Sequence, residues 1–123
     1  LWGLSFKPDT DDLREAPSLY MIEKLLSEGV EISVFDPEAM EKSRKILNET
    51  VNYGVDQYSI LNGADVLVIC TEWGIFKNPD FDKMKSLMKE AVVFDGRNIF
   101  DIDEMTANGF YYSSIGRQTV NSI

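Results

Sequence analysis

The sequence predicts an α/β fold, a Rossmann-like three-layer αβα sandwich with a mainly parallel sheet, formed by residues 1–123 as one domain. Three observations predict it. Short apolar runs alternate along the chain with segments of helical period. The strand-like runs, DVLVIC (65–70) above all, are almost continuously apolar, as strands buried on both faces of a parallel sheet must be. The chain has 123 residues, close to one ordinary domain, and 44% of them are hydrophobic, enough for a real core.

The elements follow in order. LWGLSF (1–6) is an apolar strand with a polar stop. SLYMIEKLLSEG (18–29) reads as a helix. Leu19, Ile22 and Leu26 share one face, Pro17 suits its first turn, and Gly29 falls where a left-handed cap belongs. VEISVF (30–35) is a strand, and DPEAMEKSRKIL (36–47) a helix with Asp36 as cap and Pro37 at its first position. VNYGV (51–55) reads as a short strand and DQYSILNGA (56–64) as a short helix, before the strand at 65–70. NPDFDKMKSLMKE (78–90) is a helix, AVVFD (91–95) a strand, IDEMTANG (102–109) a short helix and FYYSSIG (110–116) a last strand. There is no internal repeat, low-complexity tract or linker.

Composition excludes several function classes. The net charge of −9 argues against a nucleic-acid surface, which neutralises phosphates with Lys and Arg. It leaves room for a small anion held by a few well-placed cations. Histidine is absent, so no Ser–His or Cys–His nucleophile pair and no His-dependent zinc site forms within these residues. The single cysteine, Cys70, forms no internal disulfide and suits a reducing compartment. No apolar run is long enough to span a bilayer. The chain opens at Leu1, without Met and inside a strand, which leads us to expect a piece of a longer protein.

In open parallel sheets, ligands bind beyond the carboxyl ends of the strands, where strand order switches. The segments to watch are FKPDTDDLREAP, DPE, TEWGIF and DGRNIFD, and Lys7, Arg14 and Arg97 all fall in them. A dinucleotide site would show G-x-G-x-x-G after the first strand, and this chain has FKPDTD there. Asp36 imitates the ribose-binding acid of that fingerprint, but without the glycines a helix cap is the plainer reading. Each candidate has a structural alternative. Lys7 stands at the first polar position of the crevice, suited to phosphate or simply solvated. Asp12 and Glu15 have capping-box spacing, but with Pro17 following they more naturally brace the loop or pair with its cations. Arg14 opposes the dipole of the helix it precedes, which suggests work elsewhere. Arg97 either pairs with Asp95 or Asp101 or meets a phosphate or base edge. For Trp73 and Phe76 we favour the core, and for Cys70 an inert packing role.

GLSFKPDTDDLREAPS (3–18), ADVLVICTEWGIF (64–76) and FDGRNIFD (94–101), in this order, resemble the C-terminal, UDP-binding domain of the UDP-glucose/GDP-mannose dehydrogenase family. The similarity covers nearly the whole chain, and the TEW and DGRN motifs point within the family to the UDP-glucose 6-dehydrogenases. The resemblance implies an enzyme that oxidises the C6 hydroxyl of UDP-glucose twice, yielding UDP-glucuronate and two NADH. It implies that the catalytic cysteine, the NAD-binding domain and the dimerisation region lie upstream, so that these residues include no catalytic group or metal ligand and are inactive alone. Carried over residue by residue, it sets Phe6, Lys7 and Arg97 against the sugar nucleotide and Arg14 toward NAD, with Asp9, Asp11, Asp12 and Glu15 shaping the loop between. It also implies a cytoplasmic homo-oligomer. The alternatives are the same domain of a UDP-N-acetylmannosamine or GDP-mannose dehydrogenase and, in another class, a receiver-like signalling module. The latter needs paired acids after the first strand and a Lys after the fifth, where this chain has FK and DGR.

Overall fold

A computed structural model describes residues 1–123. Helix α1 (Pro17–Ser27) begins on Pro17 and ends at Glu28. Gly29 takes φ +79°, and the N–H groups of Gly29 and Val30 close back on the carbonyls of Leu26 and Leu25 at 3.0 and 3.1 Å, as a glycine stop does. Then come β1 (Ser33–Val34), α2 (Met40–Leu47), β2 (Asn52–Tyr53), a 3-10 turn at Ser59–Leu61 and β3 (Leu67–Ile69). A second 3-10 turn, Gly74–Phe76, leads to α3 (Phe81–Leu87), β4 (Val92–Asp95), α4 (Ile102–Ala107), β5 (Tyr111–Ser114) and β6 (Val120–Asn121).

The pairing is parallel from β1 to β2 and from β3 through β4 to β5, while β6 joins the edge antiparallel. Trp2 unites the two pieces, bridging Phe35 on one side and Ile69 on the other, both in parallel. The order across the sheet is therefore β2, β1, Trp2, β3, β4, β5, β6. Up to β5 this is the doubly wound order, with its switch point between the Trp2 segment and β3.

Alternate strand residues face opposite layers. Trp2, Leu67, Ile69, Val93 and Tyr112 meet the first 3-10 turn, α3 and α4 in one core, which includes Leu61, Met84 and Met105. Val34, Leu1 and Cys70 face the other way, into a smaller core with Ile22 of α1 and Ala39 before α2. That second outer layer covers only half of its face. Val66 and Phe94, on the uncovered half, are 40% and 42% exposed.

Several elements differ from expectation. The helix expected from Asp36 starts at Met40, because residues 36–39 form a turn around the Asp36 carboxylate. The helix expected at 56–64 is reduced to one 3-10 turn. No capping box forms, since the residue before α1 is Ala16 and no side chain caps the helix. The turn at 74–76 and strand β6 are additions.

Candidate functional site

The crevice begins where the first segment leaves the sheet. Gly3 has φ +93°, and a Cβ there would run into the Thr71 side chain and lie 2.6 Å from the Thr71 nitrogen. Glycine lets the chain after Trp2 press against the chain after β3. Thr71 then donates its hydroxyl to the Ser5 carbonyl at 2.5 Å.

Beneath this crossing lies Asp36, fully buried. Its Oδ2 accepts from the Leu4 and Ser5 N–H groups at 2.7 and 3.0 Å, from the Ser5 hydroxyl at 3.1 Å and from the Trp73 indole at 3.2 Å. Its Oδ1 accepts from the N–H groups of Glu38 and Ala39 at 2.9 and 2.8 Å. Asp36 does act as a cap, of the turn before α2, but the same carboxylate also binds the floor of the crevice.

Phe6 and Lys7 rise from that floor. Lys7 is exposed, its Nζ 5.3 Å from the centre of the Phe6 ring, with no carboxylate within ion-pair distance. Phe6 is half-buried, its N–H donating to the Asp12 carbonyl at 3.0 Å. Arg97 reaches the same place from the turn after β4. Its Nε donates to the Cys70 carbonyl at 2.9 Å and its Nη2 to the Phe6 carbonyl at 3.0 Å. The guanidinium thus fastens together three of the segments that end at the crevice, those after the Trp2 segment, β3 and β4. Neither anticipated acid pairs with that side chain. Asp95 accepts from the Arg97 backbone N–H at 2.9 Å and from the Tyr112 hydroxyl at 2.6 Å, and Asp101 caps α4. The nearest carboxylate is Glu72, whose Oε2 lies 3.9 Å from Arg97 Nη1 and whose Oε1 is buried without a hydrogen-bond partner. Sequence reasoning passed over Glu72, although the TEW motif contains it.

Arg14 stands at the far end of the loop. Its guanidinium grips Asp12 through Nη2–Oδ2 at 2.6 Å and Nε–Oδ1 at 3.0 Å. Hydrogen bonding from Arg14 holds the Asp12 carboxyl down at about 2. Asp11 likewise pairs with Lys42 at 3.1 Å, so these two acids do brace the loop. Asp9 and Glu15 contribute differently, through backbone turns with φ of 64° and 54°. Phe6, Asp12, Arg14 and Glu15 line one open pocket of about 570 Å³, so both ends of the loop face a common space. Lys42 and Lys45 flank Arg14 in a neighbouring groove of about 580 Å³.

Trp73 and Phe76 are core residues. Cys70 is buried at 6% exposure, and burial pushes its thiol up to about 11. Its place in the smaller core and its raised pKa both suit a packing group.

Residues 1–102 match the family described as UDP-glucose/GDP-mannose dehydrogenase family, UDP binding domain. The chain belongs to that family. Its relatives include the UDP-glucose 6-dehydrogenase of Rhizobium meliloti, 44% identical over 94% of this chain and 26% of the relative. The enzyme of the same name from Bacillus subtilis is 42% identical over 96% and 26%. Among solved structures, a UDP-glucose dehydrogenase from Pyrobaculum islandicum superposes with a TM-score of 0.72 at 35% identity, covering 84% of this chain and 22% of that one. An NDP-N-acetyl-D-galactosaminuronic acid dehydrogenase from Methanosarcina mazei gives 0.80 at 28% identity, covering 95% and 24%. The chain spans about a quarter of the length of the curated relatives it matches. Membership in this family sets aside the receiver-like alternative. No helix is long and apolar enough to cross a membrane.

Proposed function

We propose that this chain is the UDP-sugar-binding domain of an NAD-dependent dehydrogenase that oxidises UDP-glucose to UDP-glucuronate. The observation that carries the proposal is the meeting of Phe6, Lys7 and Arg97 at the switch point of a family UDP-binding domain. Lys7 brings an unpaired ammonium that neutralises the diphosphate. Arg97 uses two of its five N–H donors on carbonyls, and the other three, with Nη1 3.9 Å from the Glu72 carboxylate, make no hydrogen bond within the chain and can turn to a phosphate or the uracil edge. Phe6 offers an apolar flank beside them. Identity favours UDP-glucose over the acetamido sugars. Among solved structures the UDP-glucose dehydrogenase of Pyrobaculum islandicum is 35% identical, against 27% for the UDP-D-ManNAc dehydrogenase of Pyrococcus horikoshii and 28% for the Methanosarcina enzyme.

A dinucleotide does not fit this chain's own switch point. The glycine-rich turn is missing, and Asp36, which would face the ribose, is wholly engaged by internal donors. In this proposal NAD is held mainly by residues outside these 123, and Arg14 is the side chain here that reaches toward it. The full-length enzyme is then a cytoplasmic homo-oligomer, and the 123 residues alone form no NADH. The test is NADH formation by the full-length protein with UDP-glucose, UDP-N-acetylmannosamine and GDP-mannose in parallel. Preference for UDP-glucose supports the assignment, and preference for either other substrate overturns it.

A further inference from the structure

We infer that Asp36 is a positioning residue for the sugar-nucleotide site: its buried carboxylate fixes the backbone from which Phe6 and Lys7 project, and so sets the affinity for the UDP moiety. The inference rests on the proposed UDP-binding role of that segment.

Six donors converge on this one carboxylate. Two come from the turn before α2, three from Leu4 and Ser5, and one from Trp73. It therefore joins the segments that follow the first strand, β1 and β3, three sides of the crevice. Ser5 is held from both sides, its N–H and hydroxyl by Asp36 and its carbonyl by the Thr71 hydroxyl. The next residue, Phe6, has its carbonyl bound by Arg97, so no free backbone remains between anchor and site.

Charge alone argues against an acid at this place. A carboxylate under a diphosphate repels it. An acid that opposes its own ligand by Coulomb's law and still collects six donors acts through geometry, and no neutral side chain presents two oxygens that only accept. The two roles make opposite predictions for Asp36→Asn. Loss of a negative charge strengthens anion binding, whereas loss of the anchor weakens it, because an amide NH₂ would face the N–H donors.

The experiment uses the full-length dehydrogenase, with Asp36→Asn and the milder Trp73→Phe, which keeps the carboxylate and removes one donor. Steady-state constants for UDP-glucose and NAD are measured, together with ligand-free hydrogen exchange at the amides of residues 4–7. Asp36→Asn is expected to raise the KM for UDP-glucose about tenfold, the loss of roughly one charge-assisted hydrogen bond. The KM for NAD and kcat should stay within about twofold, and Trp73→Phe should move in the same direction by less. Faster exchange at residues 4–7 should accompany both. Where Asp36→Asn fails to fold, Trp73→Phe alone decides. An active wild type whose variants show loosened amides but unchanged or lower KM for UDP-glucose overturns this inference alone. Equal effects on both ligands also overturn it, since they indicate general damage. A wild type inactive on UDP-glucose removes the parent proposal, and this inference with it.

Discussion

Replacing Arg97 tests the junction on which the site depends. Its two bonds to the Cys70 and Phe6 carbonyls, at 2.9 and 3.0 Å, are charge-assisted and only partly exposed, the side chain being 28% accessible. Hydrogen bonds to charged groups contribute about 1.5–3 kcal/mol each, and water partly replaces them here, so Arg97→Ala should destabilise the chain by about 2–4 kcal/mol. Arg97→Lys separates charge from shape. It keeps the cation, but one ammonium cannot reproduce a fork whose Nε and Nη2 bind carbonyls 64 positions apart in sequence, at residues 6 and 70. At least one bond is lost, and the cost should be about 1–2 kcal/mol. Urea unfolding followed by tryptophan fluorescence, with the slope checked for constancy, reads both values. UDP titration of the same variants should show weaker binding in both. Arg97→Lys with wild-type stability and wild-type UDP affinity would refute the view that the fork, rather than the charge alone, joins the crevice.

Two further predictions come from the packing. Gly3→Ala should cost more than about 2 kcal/mol, since it combines overpacking with a left-handed backbone, and should weaken UDP binding by parting the Trp2 segment from Thr71; thermal melting alongside UDP titration checks it. Cys70→Ser should leave turnover of the full-length enzyme within about tenfold, because a thiol held neutral has no nucleophilic task. Its pH dependence is also specified. The folded thiol is held protonated up to about 11 against an ordinary 9.0, so the unfolded chain ionises first. The stability this contributes is complete below pH 9.0 and is lost as pH rises toward about 11. Cys70→Ser should flatten that part of the stability curve, and an unchanged slope would contradict the assignment.

The fold was legible where side-chain pattern carries it. Apolar runs marked the parallel strands, and Pro17 and Gly29 bounded α1 as proline and glycine should. Strand β6 was not legible, because two residues after a polar stretch carry no period of their own and pair only by lying beside β5. The late start of α2 was hidden for a related reason. Asp36 and Pro37 look like the opening of a helix, but the carboxylate is drawn inward by Leu4, Ser5 and Trp73, which no local rule connects to it. At the site, Lys7 could be singled out by its place after a strand. The task of Arg97 could not, because its partners are backbone carbonyls, which look alike in every sequence. Glu72 escaped notice for a different reason, its significance arising only from a through-space approach to Arg97, 25 positions away in sequence.

The central claim is that cations on an acidic domain, Lys7 foremost, create a site for the diphosphate of UDP. Titration of wild-type and Lys7→Ala full-length protein with UDP and with uridine, at low and high salt, tests it most directly. The account predicts that UDP binds more tightly than uridine, that added salt narrows the gap, and that Lys7→Ala narrows it by about ten- to hundredfold, the loss of one charge-assisted phosphate contact. Uridine binding as tightly as UDP to the folded wild type, or a UDP preference untouched by Lys7→Ala, would contradict it.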